Sequence, residues 1–305
     1  TVINSATFLA IENPSTDVAR YRAGDLDMTN YALPPEQFAK LQKELPGEVF
    51  TTRTLATYSY ELNNKKAPFD NVNVRKALNL SLDRNVITDK VLGQGQTPTY
   101  VFTPTYIEEG HLIQQPAYSK EPMAQRNEEA IKLLEEAGYS KANPLKFSIL
   151  YNTNENHKKV AIAAASMWKA NTKGLIDVKL ENQEWKTYID SRRAGRYDAA
   201  RAGWNADYNQ ATTFGNYFLS NSSNNTAKYA NPEYDKAIAE SYVATDAEGR
   251  AKAYAKAEEI LAKDFGIVPI FNYVNPRLVK PYVKGYSGKD PQDHIYLRNL
   301  YIIKH

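Results

Sequence analysis

Apolar positions along this chain keep changing period. Over residues 70–84, Val74, Ala77, Leu78 and Leu82 recur at i, i+3, i+4 and i+8, which predicts a capped amphipathic helix. Residues 34–45 read as a helix with proline at its start, where a missing N–H costs nothing. A shorter helix is capped at Ser15 or Thr16 and stopped by Gly24, and residues 26–29 then read as a strand. Residues 51–62, rich in Thr and Tyr, read as a longer strand. Residues 94–122 carry four prolines and predict a long surface loop, followed by a helix over 126–137 with Gly138 as its stop.

From residue 145 the pattern alternates: strand 145–151, helix 157–170, strand 176–180, helix 185–194, strand 197–202. Helices over 232–243 and 246–263 and a strand over 267–273 follow, and residues 274–305 show strand patches without a helix. Such alternation argues an α/β layer with a largely parallel sheet. Ligands of such sheets bind beyond the carboxyl ends of strands. The strand ending at Ala202 therefore delivers Gly203, Trp204, Asn205, Ala206 and Asp207 to a binding edge. The small residues there open the backbone to close approach, so an extended guest can pair with it while Asp207 receives a positive charge.

Composition narrows the classes. Charged residues make up 24% and hydrophobic ones 42% of 305 residues, a globular balance with room for one large or two medium domains. No apolar run approaches the roughly 20 residues of a membrane span. The net charge of +3 is spread out, so nothing argues for nucleic acid. Cysteine is absent, which excludes disulfides, thiolate metal sites and thiol catalysis but leaves the compartment open. The 22 tyrosines outnumber Phe and Trp together and offer flat contact area with a polar tip, either in a binding site or on solvated sheet faces. The chain opens as a strand without a start methionine or signal peptide, as the middle of a larger protein would.

Several side chains carry candidate chemistry, each with a plainer alternative. Asp207, beside Trp204 and Tyr208, either holds an α-ammonium or closes an Asx turn. Arg192 and Arg201 suit a peptide carboxylate, or pair with Asp190 or Asp198; Arg193 points away from Arg192 on a helix. His157 at a helix start either donates as a neutral imidazole to a ligand carboxylate or is an exposed capping histidine. Glu61 shares a strand face with Ser59, opposite Tyr58 and Tyr60, as a pocket acid or an edge-strand gatekeeper. The histidines lack metal spacing, and no Gly-x-Ser-x-Gly, Walker or Gly-x-Gly-x-x-Gly motif is present. No enzyme, cofactor or metal is therefore expected, and a peptidase would lack its nucleophile or metal.

The segments 61–84, 126–130, 150–153, 182–187, 200–204, 221–227 and 277–281 together resemble the periplasmic oligopeptide- and dipeptide-binding proteins of ABC importers. The resemblance runs over essentially the whole chain and matches the C-terminal three-fifths of family members. It implies a two-lobed α/β binding protein of the Venus-flytrap type, with one complete lobe and part of the other. Residues 1–55 and 275–305 would belong to the first lobe and residues 56–274 to the peptide-binding second lobe, with hinge strands near Ala56 and Val274. The partners implied are an oligopeptide ligand, the importer's membrane subunits and an N-terminal portion of the same protein. The compartment implied is the periplasm of a Gram-negative bacterium.

The resemblance also assigns positions. Asp207 matches the aspartate for the peptide's α-ammonium, and Gly203, Trp204 and Asn205 match the backbone that pairs with the peptide as an added strand. Tyr273 matches a cleft-lining tyrosine, Trp185 and Arg192 side-chain pocket and carboxylate-end positions, Arg201 and His157 cationic groups for peptide C-termini, and Glu61 a pocket acid. Leu92 replaces a lysine that some relatives use for the C-terminus, and Tyr31 stands where relatives carry asparagine. Some relatives carry a cysteine pair at the positions of Ala56 and Asn205, which implies contact between hinge strand and ligand loop. A narrower ligand, such as a murein tripeptide, a dipeptide or haem, is the alternative within the family. A piece that binds only with its missing portion is another.

Overall fold

The computed structural model describes residues 3–11, 13–30 and 32–304. Its contacts group into two units. Leu55–Ile87 and Thr97–Asn272 form the larger; the residues through Thr54, Thr88–Gln96 and those from Tyr273 onward form the smaller. Residues 88–96 thus group apart from their neighbours in sequence, although the resemblance counted them with the second lobe.

In chain order the strands are β1 (Val49–Leu62), β2 (Thr97–Pro98), β3 (Leu145–Asn152), β4 (Ile176–Gln183), β5 (Ala199–Asn205), β6 (Ile267–Leu278), β7 (Val283–Lys284) and β8 (Tyr301–Ile302). The helices are α1 (Pro14–Ala23), α2 (Pro35–Glu44), α3 (Val72–Leu80), α4 (Met123–Glu136), α5 (Glu155–Asn171), α6 (Trp185–Arg193), the single turn α7 (Thr212–Gly215), α8 (Pro232–Val243) and α9 (Ala247–Lys263). The sheet order is β2-β6-β1-β5-β3-β4.

The parallel reading holds for only part of that sheet. β3 runs parallel to both β4 and β5, whereas β1 pairs antiparallel with β5 and β2 with β6. The sheet is mixed because β1 and β6 reach it from distant parts of the chain rather than through a helical crossover. β5 also starts later and runs further than expected, to Asn205, so Gly203 and Trp204 lie in a strand rather than a loop.

Local chemistry explains most boundaries. Asn154 caps α5 by accepting from the amides of Asn156 (2.9 Å) and His157 (3.1 Å). Along α5 the buried stripe Val160, Ala161, Ala164 and Trp168 faces the sheet, and the Trp168 indole donates to the Leu78 carbonyl at 2.9 Å. α6 ends at Gly195, whose φ of +67° suits a residue without a side chain. At α1 the cap is Asn13 rather than Ser15 or Thr16, because Pro14 already occupies the first helical position. The expected strand at 26–29 shrinks to one bridge, Met28 to Val279.

The helix expected over 70–84 stops at Leu80. The fully buried Arg84 guanidinium takes the carbonyls of Asn79 (3.0 Å) and Leu82 (3.3 Å) from one side and those of Thr99 and Pro269 from the other. A continuing helix would need the Asn79 carbonyl for itself, so the demand of a buried cation overrides the apolar period. One hydrophobic cluster of the larger unit gathers Leu55, Phe102, Phe214, Phe218, Tyr234 and Ile238, and Trp204 packs against it.

Candidate functional site

The candidate site grows out of β5. Its register with β1 pairs Ala56 with Asn205, Tyr58 with Gly203 and Tyr60 with Arg201. The ladder is flanked by Ala206 N–H donating to the Leu55 carbonyl (2.8 Å) and Asn63 N–H donating to the Asp198 carbonyl (3.1 Å). Both pairs contain an even-numbered residue of the β5 segment. Antiparallel ladders alternate, so the even positions bond to β1 and the odd ones direct N–H and C=O to the opposite side. On that side β3 aligns only with Ala199 and Ala200. Among the described residues, no strand continues beside Gly203 and Asn205, so their main-chain donors and acceptors form an edge. The orientation is corroborated at Arg201, whose carbonyl accepts from the buried Tyr188 hydroxyl.

Asp207 lies two residues past the strand, exposed. Its amide N–H donates to the Thr213 hydroxyl (3.2 Å), and that hydroxyl donates to Asp207 Oδ2 (3.1 Å). The Thr213 carbonyl accepts the Trp204 indole N–H at 3.0 Å. Trp204 meets Tyr217 edge to face, with ring centroids 4.8 Å apart. A carboxylate and an aromatic face are thus both fixed against α7 at the open end of β5.

Glu61 and Arg192 fall elsewhere. β1 is an interior strand, so Glu61 is no edge gatekeeper, and the residue is completely buried. Arg192 grips it with two hydrogen bonds, and Tyr217 donates to Glu61 Oε1 at 2.6 Å. Thr226 completes the cluster through its hydroxyl. Burial opposes the charge on Arg192, but the Glu61 carboxylate outweighs it and holds the guanidinium firmly protonated. Burial and the Glu61 charge both push the Tyr217 hydroxyl up, so it stays a neutral donor. The two charges answer each other beneath the site, and Arg192 pairs with Glu61 rather than with Asp190 or Asp198.

His157, Tyr58 and Arg201 come together on the other face of the sheet. The His157 ring lies 5.5 Å from Tyr58 and the Arg201 guanidinium 5.2 Å from the same ring. Tyr58 is braced by stacking on Phe271 at 4.7 Å. Burial, and secondly the Arg201 charge, hold the His157 imidazolium well below its ordinary range, so the ring is neutral at pH 7.

Trp185 opens α6 and is 58% exposed, with one face stacked on Tyr188 at 5.9 Å. Tyr273 belongs to the smaller unit, where its carbonyl accepts from Thr54 Oγ1 at 3.2 Å. Tyr31 lies outside the described residues. Sequence reasoning missed Thr213, Tyr217 and Tyr188. Only the density of aromatics around residues 214–218 hinted at Tyr217. Among the described residues no group of three or more His, Asp or Glu could hold a metal ion, and no helix is long and apolar enough to cross a membrane.

Residues 2–226 match the family model described as bacterial extracellular solute-binding proteins, family 5 Middle. The chain is 96% identical over all 305 residues to the periplasmic oligopeptide-binding protein OppA of Haemophilus influenzae, covering 56% of that protein. It therefore spans little more than half the length of such relatives. A solved complex of the H. influenzae protein with the peptide RPPGFSPFR superposes with a TM-score of 0.95 at 95% identity, over 100% of this chain and 59% of that one. The Escherichia coli murein tripeptide binding protein MppA superposes with a TM-score of 0.91 at 43% identity, over 98% and 58%.

Proposed function

The chain belongs to the bacterial extracellular solute-binding proteins of family 5, and from that premise we propose that it carries the peptide-holding surface of a periplasmic receptor. The receptor captures extended oligopeptides and passes them to the membrane subunits of an ABC importer. The observation that carries this reading is the main-chain edge at Gly203 and Asn205 with Asp207 at its end. A guest strand adds to that edge through its own backbone, so affinity does not depend on side-chain identity. Asp207 takes the guest's α-ammonium, which fixes direction and register. Trp204 and the exposed Trp185 flank side chains that differ from guest to guest.

Arg201 and the neutral His157 are proposed to receive the peptide's carboxylate end, Arg201 as a charge and His157 as a hydrogen-bond donor. Glu61 and Arg192 act from beneath, by holding Tyr217 against Trp204. Tyr273 and Tyr31 are proposed as further lining residues, and lobe boundaries are placed near residues 56 and 274. The peptide complex of the near-identical H. influenzae protein supports the ligand class. Likeness to the E. coli murein tripeptide binding protein supports a narrower ligand as the second reading.

Calorimetry tests the proposal. Asp207→Ala weakens binding of a free-amine peptide by more than about tenfold, and N-acetylation of the peptide costs as much against the wild type. Absence of both losses removes the assigned role. Competition between a mixed peptide library and a murein tripeptide separates the two ligand readings.

A further inference from the structure

We propose that Thr213 is a positioning residue that presets the Asp207 carboxylate and the Trp204 ring together. This rests on the reading of Asp207 as the α-ammonium site and deepens it. Asp207 is exposed, on a bend beyond the end of β5. Thr213 is 4% exposed, on the turn α7, whose Phe214 packs into the same cluster as Trp204. Its hydroxyl makes two bonds to one residue: it accepts from the Asp207 amide at 3.2 Å and donates to Asp207 Oδ2 at 3.1 Å. Its carbonyl holds the Trp204 indole at 3.0 Å.

A carboxylate has about four acceptor sites on two oxygens, and the Thr213 hydroxyl uses one of them on Oδ2. That bond orients the carboxylate, while the amide bond fixes the backbone that carries it. Binding then costs less ordering of the receptor, which appears as affinity. The same turn fixes Trp204 through a second bond, so amine capture and the aromatic wall share one rigid support.

The experiment is calorimetry on the intact protein with tetra-alanine and N-acetyl-tetra-alanine as probes, in wild type, Thr213→Val, Thr213→Ser and Asp207→Asn. Valine keeps the shape of threonine but neither donates nor accepts. Thr213→Val is expected to lose about tenfold for tetra-alanine and less than about threefold for the acetylated probe. Thr213→Ser, which restores the hydroxyl, is expected to bind tetra-alanine within about threefold of wild type. The role is overturned if Thr213→Val binds tetra-alanine as wild type does, or if it loses both probes equally, as mere loosening of α7 would cause. If wild type binds both probes alike, the Asp207 reading itself fails. If Asp207→Asn loses the preference for the free amine and Thr213→Val keeps it, only the role of Thr213 falls.

Discussion

Arg192 closes a two-pronged ion pair on Glu61, Nε to Oε2 at 2.9 Å and Nη2 to Oε1 at 2.8 Å, with the carboxylate 1% and the guanidinium 13% exposed. Two residues that read as ligand groups in the sequence brace each other beneath Tyr217 and Trp204. Removing one partner strands the other charge in the interior. Glu61→Gln is expected to destabilise the fold by about 3–5 kcal/mol, whereas replacing both residues by methionine costs less than either single change. Urea unfolding of the single and double variants checks the order. A Glu61→Gln protein as stable as wild type would place the pair in water.

His157 makes stability depend on pH. Burial first, and the Arg201 charge second, depress its folded-state value below the unfolded value of about 6.5. Below that pH the unfolded chain binds a proton that the folded chain refuses, so ∂ΔG/∂pH is positive there. The contribution is fully present above about pH 6.5 and is lost as pH falls, at up to about 1.4 kcal/mol per unit. His157→Asn should flatten that part of the curve in unfolding midpoints measured from pH 7.5 downward. Parallel curves for variant and wild type would contradict the assignment.

The edge at Gly203 and Asn205 makes a prediction about the ligand. Replacing with an ester the peptide amide that donates to either carbonyl removes one donor and keeps the shape. Each such ester should weaken binding roughly two- to tenfold, while an ester at an amide facing away should change little. Calorimetry over a set of single-ester tetrapeptides reads the register directly.

Ala56 and Asn205 stand opposite each other in β1 and β5. Their neighbours Leu55 and Ala206 form a hydrogen-bonded pair, so they form a non-bonded one, in which Cα atoms lie about 4.5 Å apart. That spacing suits a disulfide. The double variant Ala56→Cys and Asn205→Cys should close one on oxidation and raise the unfolding midpoint, as thiol titration and a melt would show. Two persistently free thiols would mean that the register is different.

Much of this arrangement was legible in the sequence. Apolar period and cap residues located β3 to α6 and α8 to β6, because those elements obey local rules. The contact between residues 56 and 205 followed from the paired cysteines of relatives, and the structure shows these positions as strand partners. The full length of β5 was hidden, since Gly203 breaks the strand signal and Trp204 turns toward a core built by later residues. The Glu61–Arg192 pair spans 131 residues, a separation at which no spacing rule operates. Thr213 carries no signature of its own; its meaning comes from α7 folding back onto the end of β5.

The central claim is tested most directly by a crystal structure of the protein with a bound free-amine tetrapeptide. The terminal nitrogen is expected at about 2.7–2.9 Å from an Asp207 carboxylate oxygen, with the peptide main chain bonded to Gly203 and Asn205. A terminal amine anchored elsewhere, with Asp207 facing solvent, would contradict it.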